Sequence, residues 1–301
     1  MAEIGRLLTA MCTPFTDEGG VDFDAAQELA RLLVADGSDG VVVAGTTGES
    51  PTLSDDEKID LLRAVKEAIP DASVVAGTGG NDTRHSVELS ERAARAGADA
   101  LLAVVPYYNK PTQEGMYQHF KALAAVGPLI MYNIQSRTSA NMTAETTLRC
   151  AQEPGVIGVK EASGNIDQMG FVCGGAPGGF RVWSGDDGFT LPLLAVGGYG
   201  VICVTSHLAG TAVKTMIESH LEGGNEAAAR LHQRLLPLIT TLMTAASNPI
   251  PVKTALNRLG FRAGPFRLPL TQMDEATTAR VMRAVDAAGD LVTFKPRVEV
   301  A

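Results

Sequence analysis

The strongest constraint on this chain is a rhythm. Eight short apolar runs recur through its first 204 residues, and segments of helical spacing lie between them. The runs are residues 6–13, Gly40–Ala44, Ser73–Ala76, Leu101–Val105, Leu129–Met131, Gly155–Glu161, Phe180–Trp183 and Val201–Val204. They are rich in β-branched residues and glycine, too short and too apolar for surface helices, and so read as buried strands. Between them, Asp24 to Ala35 carries Leu29, Leu32 and Leu33 on one helical face. Ser54-Asp55-Asp56-Glu57 is a capping box that opens a helix to about Ile69. A further helix ends at Gly97, Met116, Phe120 and Leu123 mark the next, and another begins near Thr143. Eight strands alternating with helices predict an α/β fold, a (β/α)8 TIM barrel over residues 1–224.

Residues 225–301 predict a helical appendage packed on that barrel. Leu231, Leu235, Leu238 and Leu242 share a face, and Asn248-Pro249-Ile250-Pro251 breaks the run. Two more helices start near Val252 and Asp274. No low-complexity linker separates this region from the barrel.

Composition excludes several function classes. Lys plus Arg total 25 against 34 Asp plus Glu, a net charge of −9 with no basic cluster, which argues against a nucleic-acid partner. No apolar run approaches the roughly 18 residues of a membrane span, and the N-terminus lacks the order of a signal peptide. Cys12, Cys150, Cys173 and Cys203 are widely spaced and form no CxxC pair. They read as reduced, mostly buried thiols of a cytoplasmic protein. The five histidines show no HxxxH or HExxH spacing, so no metal site is expected.

Six strands run directly into polar or glycine-rich clusters at their C-terminal ends, the face that carries chemistry in this barrel type. Lys160 ends the sixth strand. A buried amine loses its proton easily and becomes a nucleophile; a lysine that merely reaches water from a strand end is the plainer alternative. Its face also holds Thr46, Thr47, Tyr107, Tyr108, Tyr132 and Arg137. The turn Gly45-Thr46-Thr47-Gly48-Glu49 offers backbone N–H groups to an anion, yet it lacks the Lys-Ser/Thr ending of a P-loop, so a carboxylate suits it better than a polyphosphate. Gly77-Thr78-Gly79-Gly80 fails the GxGxxG pattern and reads as a structural loop. Tyr132 ends the neighbouring strand, where its phenol can move protons or simply serve as a satisfied core hydroxyl. Arg137, five residues on in a loop, suits a substrate carboxylate or a surface ion pair. Together these residues suggest a lysine that forms a Schiff base with a carbonyl substrate. The imine itself is then the electron sink, and no cofactor is needed.

The chain resembles the pyruvate-dependent class I aldolase superfamily over nearly its whole length, most closely the dihydrodipicolinate synthase family. The resemblance rests on Gly45-Thr46-Thr47-Gly48-Glu49-Ser50, Pro106-Tyr107-Tyr108-Asn109, Tyr132-Asn133, Arg137-Thr138, Gly158-Val159-Lys160-Glu161, Ser184-Gly185-Asp186-Asp187 and Asn248-Pro249-Ile250-Pro251-Val252-Lys253. It implies that Lys160 forms the Schiff base with pyruvate and that Thr46 and Thr47 hold the pyruvate carboxylate. It implies a proton relay of Tyr132, Thr47 and Tyr108, the last reaching in from a neighbouring subunit of a homotetramer. Arg137 would bind the carboxylate of L-aspartate 4-semialdehyde, and the carbonyls of Gly185 and Ile202 would line the site. The implied reaction gives 4-hydroxy-tetrahydrodipicolinate, in lysine and diaminopimelate biosynthesis. A pyruvate-releasing aldolase or dehydratase of a 2-keto sugar acid is the alternative on the same framework, though such enzymes usually lack the arginine.

Two positions depart from the family's Tyr-Asn-x-Pro-x-Arg-Thr/Ser-Gly stretch: Gln135 replaces the proline and Ser139 the glycine. In family members inhibited by lysine, the inhibitor cleft would lie near Ser50, Asn81, His85 and Tyr107. Here His85 stands where those enzymes tend to have glutamate, and Lys58 where they tend to have histidine. A cation and a missing carboxylate predict weak or absent lysine inhibition.

Overall fold

The computed structural model describes residues 4–296. Eight parallel strands close into a barrel in sequence order, with the last paired to the first. They are β1 (Leu7–Ala10), β2 (Gly40–Val43), β3 (Ser73–Gly77), β4 (Ala100–Val104), β5 (Leu129–Asn133), β6 (Val156–Glu161), β7 (Arg181–Ser184) and β8 (Gly200–Cys203). Around them run α1 (Phe23–Ala35), α2 (Asp55–Ala68), α3 (Thr83–Arg95), α4 (Gln113–Ala124), α5 (Gln135–Thr138), α6 (Ala144–Cys150), α7 (Ile166–Gly175), α8 (Thr190–Ala195) and α9 (Ser206–Leu221). The chain continues through α10 (Asn225–Thr244), α11 (Ile250–Arg258) and α12 (Glu275–Ala288).

All eight expected strands form. The first is shorter than residues 6–13 because its continuation finds other partners. The Cys12 amide donates to His207 Nε2 at 3.1 Å, and the Thr13 hydroxyl donates to the Gly48 carbonyl at 2.7 Å. Helix starts follow capping chemistry. Ser54 and Glu57 close a reciprocal capping box on α2, and the Asp82 and Thr143 side chains cap α3 and α6. Gly97 follows α3 at φ +97°, a conformation glycine adopts without strain.

Apolar side chains form two layers. The larger lies between the strands and the helices; the smaller fills the barrel and includes Leu8, Val42, Val75, Leu102, Ile130, Tyr132, Trp183 and Ile202. Trp183 plugs the interior, with its indole N–H donating to the Gly5 carbonyl at 2.9 Å. Gly158 makes room for it: a Cβ there would lie 2.6 Å from the indole and 2.2 Å from the Arg181 carbonyl oxygen. Side chains two apart on a strand share a face, so Lys160 faces inward above that plug.

After the barrel, α10 packs against α9 and α12. Leu235, Leu238 and Leu242 are buried on the expected face, and Leu231 packs against the same layer. Asn248 and Pro249 lie between α10 and α11, Ile250 and Pro251 open α11, and Asp274 caps α12 through the Thr277 amide at 2.7 Å.

Candidate active site

The site begins with strand register. Tyr132 on β5 pairs with Lys160 on β6, and Lys160 with Trp183 on β7. Lys160 is 6 % exposed, and its Nζ lies 4.3 Å from the centroid of the Tyr132 ring. Burial lowers its pKa to about 8, while the buried Asp187 carboxylate pulls the other way. Asp187 is itself held by the amides of Val204 and Thr205 and by the Thr205 hydroxyl. Gly185 packs on the lysine stem: a Cβ would stand 3.1 Å from both Cγ and Cε of Lys160. Ile202 is buried in the barrel interior beside Tyr132 and Trp183.

Burial also pushes the Tyr132 phenol up to about 12, against the opposing pull of the Arg137 charge and the Thr46 side chain. The expected relay pairs Tyr132 with Thr47. Thr46 lines the same cavity as Tyr132 and acts on its phenol, whereas the Thr47 oxygen accepts a hydrogen bond from Asn248 Nδ2 at 2.9 Å. Two adjacent threonines on a turn point in different directions, and only one can face the phenol.

The turn that carries them is wound tightly. Gly48 and Ser50 both donate their amides to the Gly45 carbonyl, and Glu49 donates to Thr46. The amides of Thr46 and Thr47 donate to nothing among the described residues. Two adjacent free N–H groups suit a carboxylate. The loop is bounded by two non-glycine residues at positive φ, Ala44 at +52° and Glu49 at +55°. Each left-handed residue costs about 1–2 kcal/mol, so the surroundings must hold it. Glu49 Oε1 pairs with Lys253 Nζ at 2.8 Å, both groups buried, and Glu49 Oε2 accepts from the Arg267 amide at 3.2 Å. Arg267 then reaches Glu57 with two nitrogens and holds its carboxyl down at about 2.

Arg137 lies in a short helical turn, α5, rather than an irregular loop. Gln135 occupies the first helical position. Proline is favoured there because that N–H lacks a helical partner anyway, so its replacement costs little. Ser139 ends the turn at φ +57°, the conformation a glycine would take freely. The turn survives both departures, and Arg137 Nη2 donates to the Asn248 carbonyl at 3.4 Å.

On the other face of the same strands, the position after each key residue builds a second layer. Asn133 pairs with Glu161 in register, and Asn133 Nδ2 donates to both Glu161 oxygens, at 3.2 and 3.1 Å. Gln168 Nε2 and the Ser163 amide add bonds at 3.2 and 2.7 Å. Burial pushes the Glu161 carboxyl up and these donors pull it down. Sequence reasoning did not find this layer, nor the roles of Asp187, Asn248, Lys253 and Arg267. Its available signal was the pair of dipeptides Tyr132-Asn133 and Lys160-Glu161 on adjacent strands.

A cavity of ≈ 380 Å³ opens above, lined by Thr46, Tyr132, Arg137, Ser50, Lys58, Asn81, His85 and Tyr107. Gly77 to Gly80 line it too, so this loop is part of the site's wall as well as a structural turn. Lys160 does not line the cavity directly; it stands behind Tyr132, which does. At the cavity's outer part, Asp55 bridges His85 Nε2 at 2.7 Å and Lys58 Nζ at 3.8 Å. Tyr108 is not brought to the lysine by this chain: it is 89 % exposed, at φ +73°.

Comparison with known proteins agrees with this geometry. The sequence profile of the Dihydrodipicolinate synthetase family matches residues 3–288. A 4-hydroxy-tetrahydrodipicolinate synthase from Moorella thermoacetica is 53 % identical over 288 residues, 95 % of this chain and 98 % of the relative. A solved dihydrodipicolinate synthase from Cyanidioschyzon merolae, with lysine bound, superposes with a TM-score of 0.93 at 44 % identity, covering 95 % of this chain and 98 % of that one. One from Bacillus anthracis gives 0.92 at 39 % identity, covering 95 % and 99 %. By sequence and by structure, this chain belongs to the dihydrodipicolinate synthetase family.

Proposed function

We propose that this chain condenses pyruvate with L-aspartate 4-semialdehyde to 4-hydroxy-tetrahydrodipicolinate through a Schiff base on Lys160, as a class I aldolase-type lyase. The observation that carries this reading is the buried amine of Lys160 beside the Tyr132 ring, on adjacent strand ends. The neutral amine attacks C2 of pyruvate, water leaves, and a protonated imine forms. Loss of a methyl proton then gives an enamine, with the imine as electron sink. The enamine carbon attacks the aldehyde carbon, whose oxygen takes up a proton. The substrate's own amino group next adds to the imine carbon and expels the lysine amine, closing the ring.

Tyr132 moves protons at these steps, with Thr46 as its neighbour in the relay. The free amides of Thr46 and Thr47 hold the pyruvate carboxylate, and Arg137 at the cavity mouth holds that of the aldehyde. Gly185 and Ile202 shape the wall around the lysine. The exposed Tyr108 completes the relay in a neighbouring subunit of a homotetramer. The reaction belongs to lysine and diaminopimelate biosynthesis in the cytoplasm, and no helix among the described residues is long and apolar enough to cross a membrane.

The test is turnover of pyruvate with L-aspartate 4-semialdehyde, coupled to an NADPH-dependent reductase. The rate should vanish in Lys160→Ala and fall sharply in Arg137→Ala. Protein that traps pyruvate under borohydride but shows no turnover would refute the aldehyde assignment and direct the search to 2-keto sugar acids.

A further inference from the structure

The segment between α10 and α11 enters the site through one side chain. Asn248 is 9 % exposed. Its Nδ2 donates to Thr47 Oγ1 at 2.9 Å, and its backbone carbonyl accepts from Arg137 Nη2 at 3.4 Å. Its Oδ1 is buried without a partner, so Thr47 is the amide's one hydrogen-bond partner among the described residues. Thr47 is itself buried, and its hydroxyl makes no second hydrogen bond among the described residues.

A hydroxyl has a single proton and accepts through its lone pairs. With the Asn248 N–H seated on the oxygen, the Thr47 proton has to point elsewhere, and no acceptor among the described residues receives it. The same residue carries one of the two free amides of the turn. We infer that Asn248 is a positioning residue for the pyruvate carboxylate. Its side chain makes Thr47 a donor to that carboxylate, while its carbonyl holds Arg137 for the second carboxylate. This rests on the pyruvate reading of the site. One residue would then set the spacing between the two recognition points, one through its side chain and the other through its backbone.

That division makes the test selective, because a side-chain substitution keeps the carbonyl. Asn248→Ala should raise the half-saturating pyruvate concentration, read by borohydride trapping and by KM, about tenfold, the size of one lost charge-assisted bond. KM for L-aspartate 4-semialdehyde should change much less. Asn248→Asp keeps the shape but offers only acceptors, so it takes the Thr47 proton and repels the pyruvate carboxylate; its loss should exceed that of alanine. Should the alanine variant not fold, the near-isosteric aspartate variant carries the test. Thr47→Val removes the group on which Asn248 acts, so adding Asn248→Ala to it should change pyruvate half-saturation by less than about twofold.

Pyruvate titrations matching the parent in both Asn248 variants would overturn the inference. So would equal rises in both KM values, which a merely structural role predicts, or effects that multiply in the double variant. If the parent itself traps no pyruvate, the reading of the site fails and this inference with it. If the parent traps pyruvate but the Asn248 variants bind it normally, only the inference fails.

Discussion

Removing the amine of Lys253 tests how the C-terminal helices hold the Gly45–Ser50 turn. Lys253 and Glu49 are 0 % and 1 % exposed at their side chains and 2.8 Å apart. The ammonium also lies 4.1 Å from the centroid of the Phe15 ring. Burial pulls the Lys253 pKa down and the Glu49 charge pulls it back. Lys253→Met leaves a buried carboxylate with the Arg267 amide as its remaining partner. Breaking a buried pair from one side costs about 3–5 kcal/mol. Unfolding entropy of about 2 cal/mol/K per residue, over a chain of this length, converts that to a fall of about 5–8 °C in melting temperature. The left-handed Glu49 also loses its main restraint, so pyruvate binding should weaken beyond what stability alone explains. Thermal melts and pyruvate trapping read the two effects separately. Adding Glu49→Leu should recover part of the melting temperature, since replacing both charges by apolar groups is far less costly than orphaning one. A single variant that melts with the parent, or a double variant less stable than the single, would refute this account.

Three further outcomes follow from the same geometry. Imine formation needs the neutral amine, so with Lys160 near 8 the trapping rate should climb about tenfold per pH unit below that value and then level off; a rate still climbing at the ordinary lysine pKa would refute the lowered value. Gly185→Ala places a methyl 3.1 Å from Lys160 Cε and 2.7 Å from the Ala162 Cβ, and kcat should fall about 10- to 100-fold as the amine shifts, a loss that steady-state kinetics will show or deny. L-Lysine should inhibit weakly or not at all, because Lys58 and His85 already engage Asp55 where an incoming ammonium would arrive; a dose–response curve with sub-millimolar inhibition would refute this.

The parts of the fold and site that were legible in the sequence depend on local pattern. The eight apolar runs could be read directly, because a strand covered on both faces has to be apolar and short. Lys160 and Tyr132 stood out because a polar residue at the end of such a run is conspicuous. What was missed depends on long-range partners. Thr47 takes its partner from Asn248, 201 residues away. The Gln135 and Ser139 departures were visible, yet their mildness follows from the helical turn they occupy, and a four-residue turn leaves no periodicity to read. Lys253 stood in a family motif, but its role could not be read there because its partner, Glu49, is 204 positions earlier. Gly77 to Gly80 gave no chemical signal, because their contribution is to leave space.

The Gly45–Ser50 turn gains its bonds late as the protein is made. All eight strands, the Lys160 strand among them, have been synthesised once Cys203 leaves the ribosome. The clasp on the Gly45–Ser50 turn has not: its bonds come from Asn248, Lys253 and Arg267, and they span 201, 204 and 218 positions. At ordinary rates of translation that stretch takes several seconds. During this interval a nascent chain has every barrel strand, but the turn lacks those bonds. The last helices therefore fix this turn only after every barrel strand has been made.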